Sequence, residues 1–173
     1  MKHVMLAGMV ALAMSAVPSF GDTTPRAKQT ADQQFVSKAA DANKAEIELG
    51  KLAETRSTNE QVRAFARRMV DDHQQALDRL KPIAKREKVE ILSRMDPKDQ
   101  ALKSRLEKLS GSAFDKAYMT AMVQDHQQDV AEFRTESMKA TKPDVKDYAA
   151  TTLPTLEEHL KLAEQTEKSV HAE

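Results

Sequence analysis

VEILSRMDPKDQALKSRLEKLSGS, residues 89–112, decides the architecture of this chain. It is too long for a turn, and it separates two regions that each hold a pair of helical segments. Inside it, Asp96 and Pro97 make an N-cap followed by a proline at the first helical position. They open a short helix to about Leu109, which Ser110-Gly111 breaks.

Upstream of this stretch, Thr30 or Asp32 caps a first long helix running to about Ala53. Ser57 with Glu60 spells a capping box for a second, to about Lys88. Downstream, Ser112 with Asp115 resembles another capping box and starts a third, to about Ala140. Thr141 and Pro143 open a fourth, to about Val170. Pro82 and Pro154 fall inside helical patterns and are expected to bend them. No segment alternates apolar and polar residues with period two, so no strand is expected. Short links within each pair imply antiparallel hairpins. Two hairpins joined by one long crossover predict an all-α, ferritin-like four-helix bundle over residues 30–170.

The composition agrees with that reading. The chain has 173 residues, four glycines, no cysteine and no tryptophan, and its 27 basic residues balance 27 acidic ones. This even balance leaves no basic footprint for nucleic acid. Residues 1–21 read as a secretory signal peptide: Lys2 and His3, then an apolar run from Val4 to Val17, then Ser19-Phe20-Gly21 at the cleavage position. The apolar run is too short to span a bilayer, which needs about 20 residues. Cleavage after Gly21 removes only Lys2 among the charges, leaving 26 basic against 27 acidic residues. Residues 22–29 are expected to form a flexible lead-in, and no segment after cleavage is apolar enough to cross a membrane. The expected location is the periplasm, with peripheral attachment to the envelope left open. The oligomeric state is not legible. Without cysteine, an exported fold must hold by packing alone.

Three histidines stand where core residues belong. Each follows an acid: Asp72-His73, Asp125-His126 and Glu158-His159. The first two lie in near-copies, MVDDHQQ at 69–75 and MVQDHQQ at 122–128. At about 100° per residue, His73 falls at the centre of the apolar stripe of its helix, with Met69, Leu77 and Leu80 around it. His126 is equally central among Met119, Met122, Val130 and Phe133, whereas His159 falls at one edge of its stripe. On the first helix, Glu46 points inward with Phe35, Ala39 and Ala42, and Glu48 points to solvent. Folding the second hairpin about residue 141 brings His126 and His159 to within roughly 3 Å in height. Folding the first about residue 57 leaves Glu46 and His73 roughly 7 Å apart in height, with Glu46 level with Met69. The crossover hides the height of His73 relative to His126.

These positions support two readings. In one, His73, His126 and His159, with Glu46, hold a single transition-metal ion, either copper, iron or zinc. In the other, the histidines pair with Asp72, Asp125 and Glu158 on neighbouring helices in a buried network that only sets bundle register. Met69 and Met122, each four residues before a histidine, suit a soft copper site but read first as core filler. Tyr118 and Tyr148 read as half-buried helix contacts, and His171 and His3 carry no assignment.

The motifs Phe35-Val36-x-x-Ala39-Ala40, Glu46-x-x-Leu49-Gly50-x-Leu52-Ala53, Phe65-Ala66-x-x-Met69-Val70-x-Asp72-His73, Ser110-Gly111-x-Ala113-Phe114-Asp115-x-x-Tyr118 and Thr152-Leu153-Pro154-Thr155-Leu156-x-x-His159-Leu160 extend over residues 30–165. Together they resemble a bacterial family of exported domains of unknown function, grouped with the ferritin-like folds and often labelled predicted outer-membrane proteins. The resemblance implies the bundle and export, and it supplies no activity. True di-iron ferritins are marked by Glu-x-x-His pairs. Here Val70, Val123 and Leu156 stand three residues before the histidines, so the carboxylates that bridge two irons are missing. The chain also lacks the alternating strands of an outer-membrane barrel. The resulting expectation is a non-catalytic exported protein with an envelope or stress role, with periplasmic metal binding as the alternative and a redox enzyme third.

Overall fold

The computed structural model describes residues 29–172, which contain five helices and no strand. These are α1 (Ala31–Arg56), α2 (Glu60–Arg86), α3 (Pro97–Leu106), α4 (Gly111–Lys139) and α5 (Pro143–Ala172). The expected signal peptide and most of the lead-in lie outside the described residues. Helices α1 and α2 pack as one hairpin and α4 and α5 as the other, with α2 facing α5 and α1 facing α4. The crossover carries α3 along the outside, against α1 and α4. Lys44 of α1 donates to the carbonyls of Leu92 and Arg94 and ties the crossover down.

The helix starts follow local chemistry, with two corrections. Thr30 caps α1 in a full capping box with Gln33. Asp96 caps α3, as its proline neighbour requires. The Ser57–Glu60 box does not form: Asn59 is the N-cap of α2, accepting from the backbone N–H groups of Gln61 and Val62. Asn outcompetes because its carbonyl reaches two orphan donors at once. Ser57 instead accepts from Asn59 N–H, and Glu60 pairs with Arg63 and Arg67. The Ser112–Asp115 box is likewise absent; Ser110 takes the N-cap position and α4 begins two residues earlier than that box implies, at Gly111, whose φ of 54° glycine adopts at little cost. The short helix ends at Leu106, short of Leu109. Both Pro82 and Pro154 lie inside helices that continue past them.

Gly50 marks a close approach within the first hairpin. A Cβ there would sit 2.8 Å from Val70 Cγ2 and 3.1 Å from the Ala66 carbonyl oxygen. The two hairpins are joined at one end by Asp32, which is 2% exposed. Its carboxylate accepts from Thr141 N–H, from Thr141 Oγ1 at 2.7 Å and from Lys142 N–H at 2.7 Å. Burial opposes the charged form, but these donors outweigh it and hold the carboxyl below its ordinary value. The folded pKa is therefore depressed, so the stabilisation is complete above the unfolded value of about 3.9 and is lost as pH falls through the folded value. Asp32→Ala is expected to cost about 2–4 kcal/mol in urea unfolding at neutral pH. The gap between wild type and Asp32→Asn is expected to shrink as pH falls below the ordinary carboxyl value of about 3.9 and through the lower folded value, because the protonated carboxyl resembles the amide.

The core has two halves. One surrounds Phe35, Leu80, Phe133 and Tyr148; the other surrounds Met69, Phe114, Tyr118 and Met122. Along α2 the second half ends at Met69 and the first begins at Leu77, with His73 between. Along α4 the break falls between Val123 and Val130, around His126; along α5 it falls between Leu156 and Ala163, around His159. A polar layer thus divides an apolar bundle, and the histidines form it. The expectation that Tyr118 and Tyr148 are half-buried is corrected: they are 0% and 4% exposed, because each ring fills one half of the core.

Candidate metal centre

The three imidazoles meet. Ring centroids are 5.7 Å apart for His73–His126, 5.4 Å for His73–His159 and 5.4 Å for His126–His159. One nitrogen from each ring lies within 4.8 Å of the other two. The height of His73, which the crossover hid from sequence reasoning, is level with its partners. His159, expected at one edge of its stripe, is nonetheless buried, at 1% exposure. The neighbouring α2 covers that edge through Asp72, a contact that the angles of one helix do not show.

Each ring is held by one nitrogen. His159 Nε2 bonds Asp72 Oδ2 at 2.8 Å, across from α5 to α2. His126 Nδ1 bonds the Met122 carbonyl oxygen of its own helix at 2.9 Å. His73 Nδ1 bonds Asn43 Oδ1 of α1 at 3.0 Å. The Asn43 amide nitrogen donates to the Ala39 carbonyl and to the Tyr148 hydroxyl, so its oxygen is the accepting end toward His73. All three partners are acceptors, so all three bonded nitrogens carry the proton. That assignment leaves a lone pair on His73 Nε2, His126 Nε2 and His159 Nδ1. These three atoms are buried without any hydrogen-bond partner.

The rings are neutral. Burial pushes His73 well below the ordinary histidine value, with the other two histidines adding to the effect. Burial and His159 push His126 down to about 4 against the Met122 bond. His159 is lowered by burial despite the opposing pull of Asp72. The site therefore presents three uncharged nitrogen donors at neutral pH, each with its tautomer set by a bond on its outer side. Metal-bound histidines characteristically carry this outer support.

The preceding acids separate by role. Asp72 orients His159 and is itself gripped by Arg68 Nε at 3.2 Å. Its carboxyl, although partly buried, is held below its ordinary value by His159 and Arg68. Glu158 pairs with Arg68 at 2.8 Å and Asp125 with Lys98 at 3.5 Å, both at the rim. Glu46 is 3% exposed but does not join the three-imidazole set. Burial, followed by Asp125, Asp129 and Asp99, pushes its carboxyl well above its ordinary value. Met69 and Met122 are fully buried in the apolar half next to the layer. Sequence reasoning missed Asn43. The available signal was an amide three residues before Glu46 on the inward side of α1, a position that helical asparagines seldom hold without a partner.

Comparison with known proteins places the chain. A domain of unknown function, DUF4142, matches residues 18–166, and the chain belongs to that family. No curated protein matches it. Its fold is similar to a DUF305 fragment from Deinococcus radiodurans, at 17% identity and a TM-score of 0.70, covering 82% of this chain and 98% of that one. It is also similar to CopM in the Cu(II)-bound form, at 15% identity and a TM-score of 0.68, covering 82% and 99%. CopM in the Cu(I)-bound form gives 16% identity and a TM-score of 0.67, covering 82% and 98%. At these identities the likeness is one of fold.

Proposed function

We propose that this protein binds a single transition-metal ion, copper before zinc or iron, through His73 Nε2, His126 Nε2 and His159 Nδ1. The observation that carries the reading is the set of three converging, unpartnered lone pairs. A purely structural polar network would satisfy its members, because each unpaired buried polar atom costs about 1–3 kcal/mol. A metal at about 2.0 Å from each nitrogen satisfies all three with nitrogens about 3.4 Å apart. An all-imidazole donor set without carboxylate suits copper, which stands highest in the divalent affinity order. The fold shared with a protein solved with copper bound supports the same choice.

The role is metal handling and not catalysis. The bridging carboxylates of di-iron oxidases are missing beside the imidazoles, and the donors are enclosed by core. The N-terminal sequence supports work in the periplasm, and no described helix is long and apolar enough to cross a membrane. Attachment to the envelope, where it occurs, would then be peripheral.

The test is equilibrium dialysis of untagged protein against Cu(II) and, under reductant, Cu(I). One ion per chain is expected; no stoichiometric uptake of either overturns the proposal. Asp72→Asn gives a finer result. Loss of the charged acceptor behind His159 is expected to weaken copper binding about 10–100-fold with stoichiometry and helix content unchanged. Competition against a chelator of known affinity measures it, and an unchanged affinity would show that Asp72 serves only Arg68.

A further inference from the structure

We infer that the acidic cleft between α1, α4 and the start of α3 is the route by which a cation reaches the imidazole layer. This inference rests on the metal-binding reading above and adds where the ion is collected. The cleft holds about 300 Å³ and is lined by seven carboxyl groups against two lysines. Its inner wall includes Glu46, buried to 3% exposure, whose Oε2 has no hydrogen-bond partner. A buried carboxyl oxygen without a partner is costly, and a passing cation supplies one.

Wall residues lie within one helical turn of His126 on α4 and, on α1, of the Asn43 that holds His73. Glu46 is three residues beyond Asn43, which holds His73, so the two share a face of α1. Asp129 is three residues beyond His126 on α4, and Asp125 directly precedes it. The carboxylates are too widely spaced to wrap a bare ion: the sole group of three or more donors within ligating distance among the described residues is the histidine set. They suit a hydrated cation, held through its water shell, before it sheds water to the nitrogens. Lys98 lies at the mouth, 3.5 Å from Asp125 and 4.0 Å from Asp99, and competes for the same charge. A cleft lined by one sign of charge raises local counter-ion concentration and association rate.

Stopped-flow mixing with Cu(II) tests this, read by quenching of tyrosine emission, since Tyr148 bonds the Asn43 that holds His73. At about 10 mM ionic strength, where the Debye length is about 30 Å, Asp99→Asn/Asp129→Asn is expected to slow association about tenfold. Lys98→Ala is expected to speed it, and Asp71→Asn/Asp147→Asn, the same pair of substitutions on α2 and α5, to stay within about twofold of wild type. Raising salt should close the differences. Equal slowing by both asparagine pairs, or none by the cleft pair, overturns the inference while leaving the copper site standing. A wild type that takes up neither Cu(II) nor, under reductant, Cu(I) overturns the proposed function and this inference with it.

Discussion

His126→Leu is expected to abolish stoichiometric copper uptake and, at the same time, to stabilise the metal-free protein. The first effect follows from removing one of three ligands. Structural zinc binding to small sites is worth about 10–16 kcal/mol, so one ligand carries roughly 3–4 kcal/mol, or about 10²–10³-fold in affinity. The second follows from what His126 does without metal. Its single bond goes to Met122 of its own helix, and its other nitrogen is buried and unpartnered. Leucine has nearly the same volume, keeps the contacts with the two apolar halves, and removes the unpaired polar atom. A gain of about 1–2 kcal/mol in urea unfolding of the apo form is expected. If His126 instead set bundle register, the same substitution would destabilise the fold and leave copper uptake, if any, unaffected. The opposite signs make this variant more informative than an alanine, which would add a cavity to the comparison.

Copper is expected to raise the thermal midpoint by about 10 °C. An ion that binds only the folded state stabilises it by about 4 kcal/mol when free ion exceeds the dissociation constant 1,000-fold. For a domain of this size each kcal/mol moves the midpoint by about 2–4 °C. The shift should disappear on adding a chelator and should fall to a few degrees or less in His126→Leu. Scanning calorimetry with and without the ion checks it. A shift of the same size in the variant would mean that copper acts elsewhere on the chain.

These two results bear on how much of the centre was legible beforehand. Helix number, hairpin pairing and the crossover followed from local chemistry: Asp96-Pro97 is a start signal for the helical pattern that follows it, and the short links at residues 57–59 and 140–142 admit only antiparallel neighbours. The inward pointing of His73 and His126 followed from helical periodicity, since each sits in the middle of an apolar stripe. Three further features were not legible. The level of His73 depends on how the crossover sets one hairpin against the other, and chain length bounds that distance without fixing it. The seating of His159 depends on Asp72 from another helix. The tautomers depend on Asn43, whose amide orientation is decided by Ala39 and Tyr148, residues 4 and 105 positions away. Caps were the other weak point. Ser57–Glu60 matched a motif, yet Asn59 stood two residues later with the better-placed acceptor. Helix ends are contests among neighbouring polar residues, decided by geometry within one turn.

The division of the core by a polar layer is the feature that links fold to chemistry. A bundle of this length could fill the level of His73, His126 and His159 with leucine and gain stability. It instead seats three neutral imidazoles there, orients them from Asp72, Asn43 and the Met122 carbonyl, and leaves the inward nitrogens unpaired. The arrangement is costly in the apo state and is offset when an ion takes the centre.

X-ray absorption at the copper edge of untagged protein loaded with one equivalent of copper tests this account most directly. The expected spectrum shows three imidazole nitrogens at about 2.0 Å, with the outer-ring scattering that histidine produces. A first shell of sulfur or of carboxylate oxygen, or a protein that retains no copper after desalting, would contradict it.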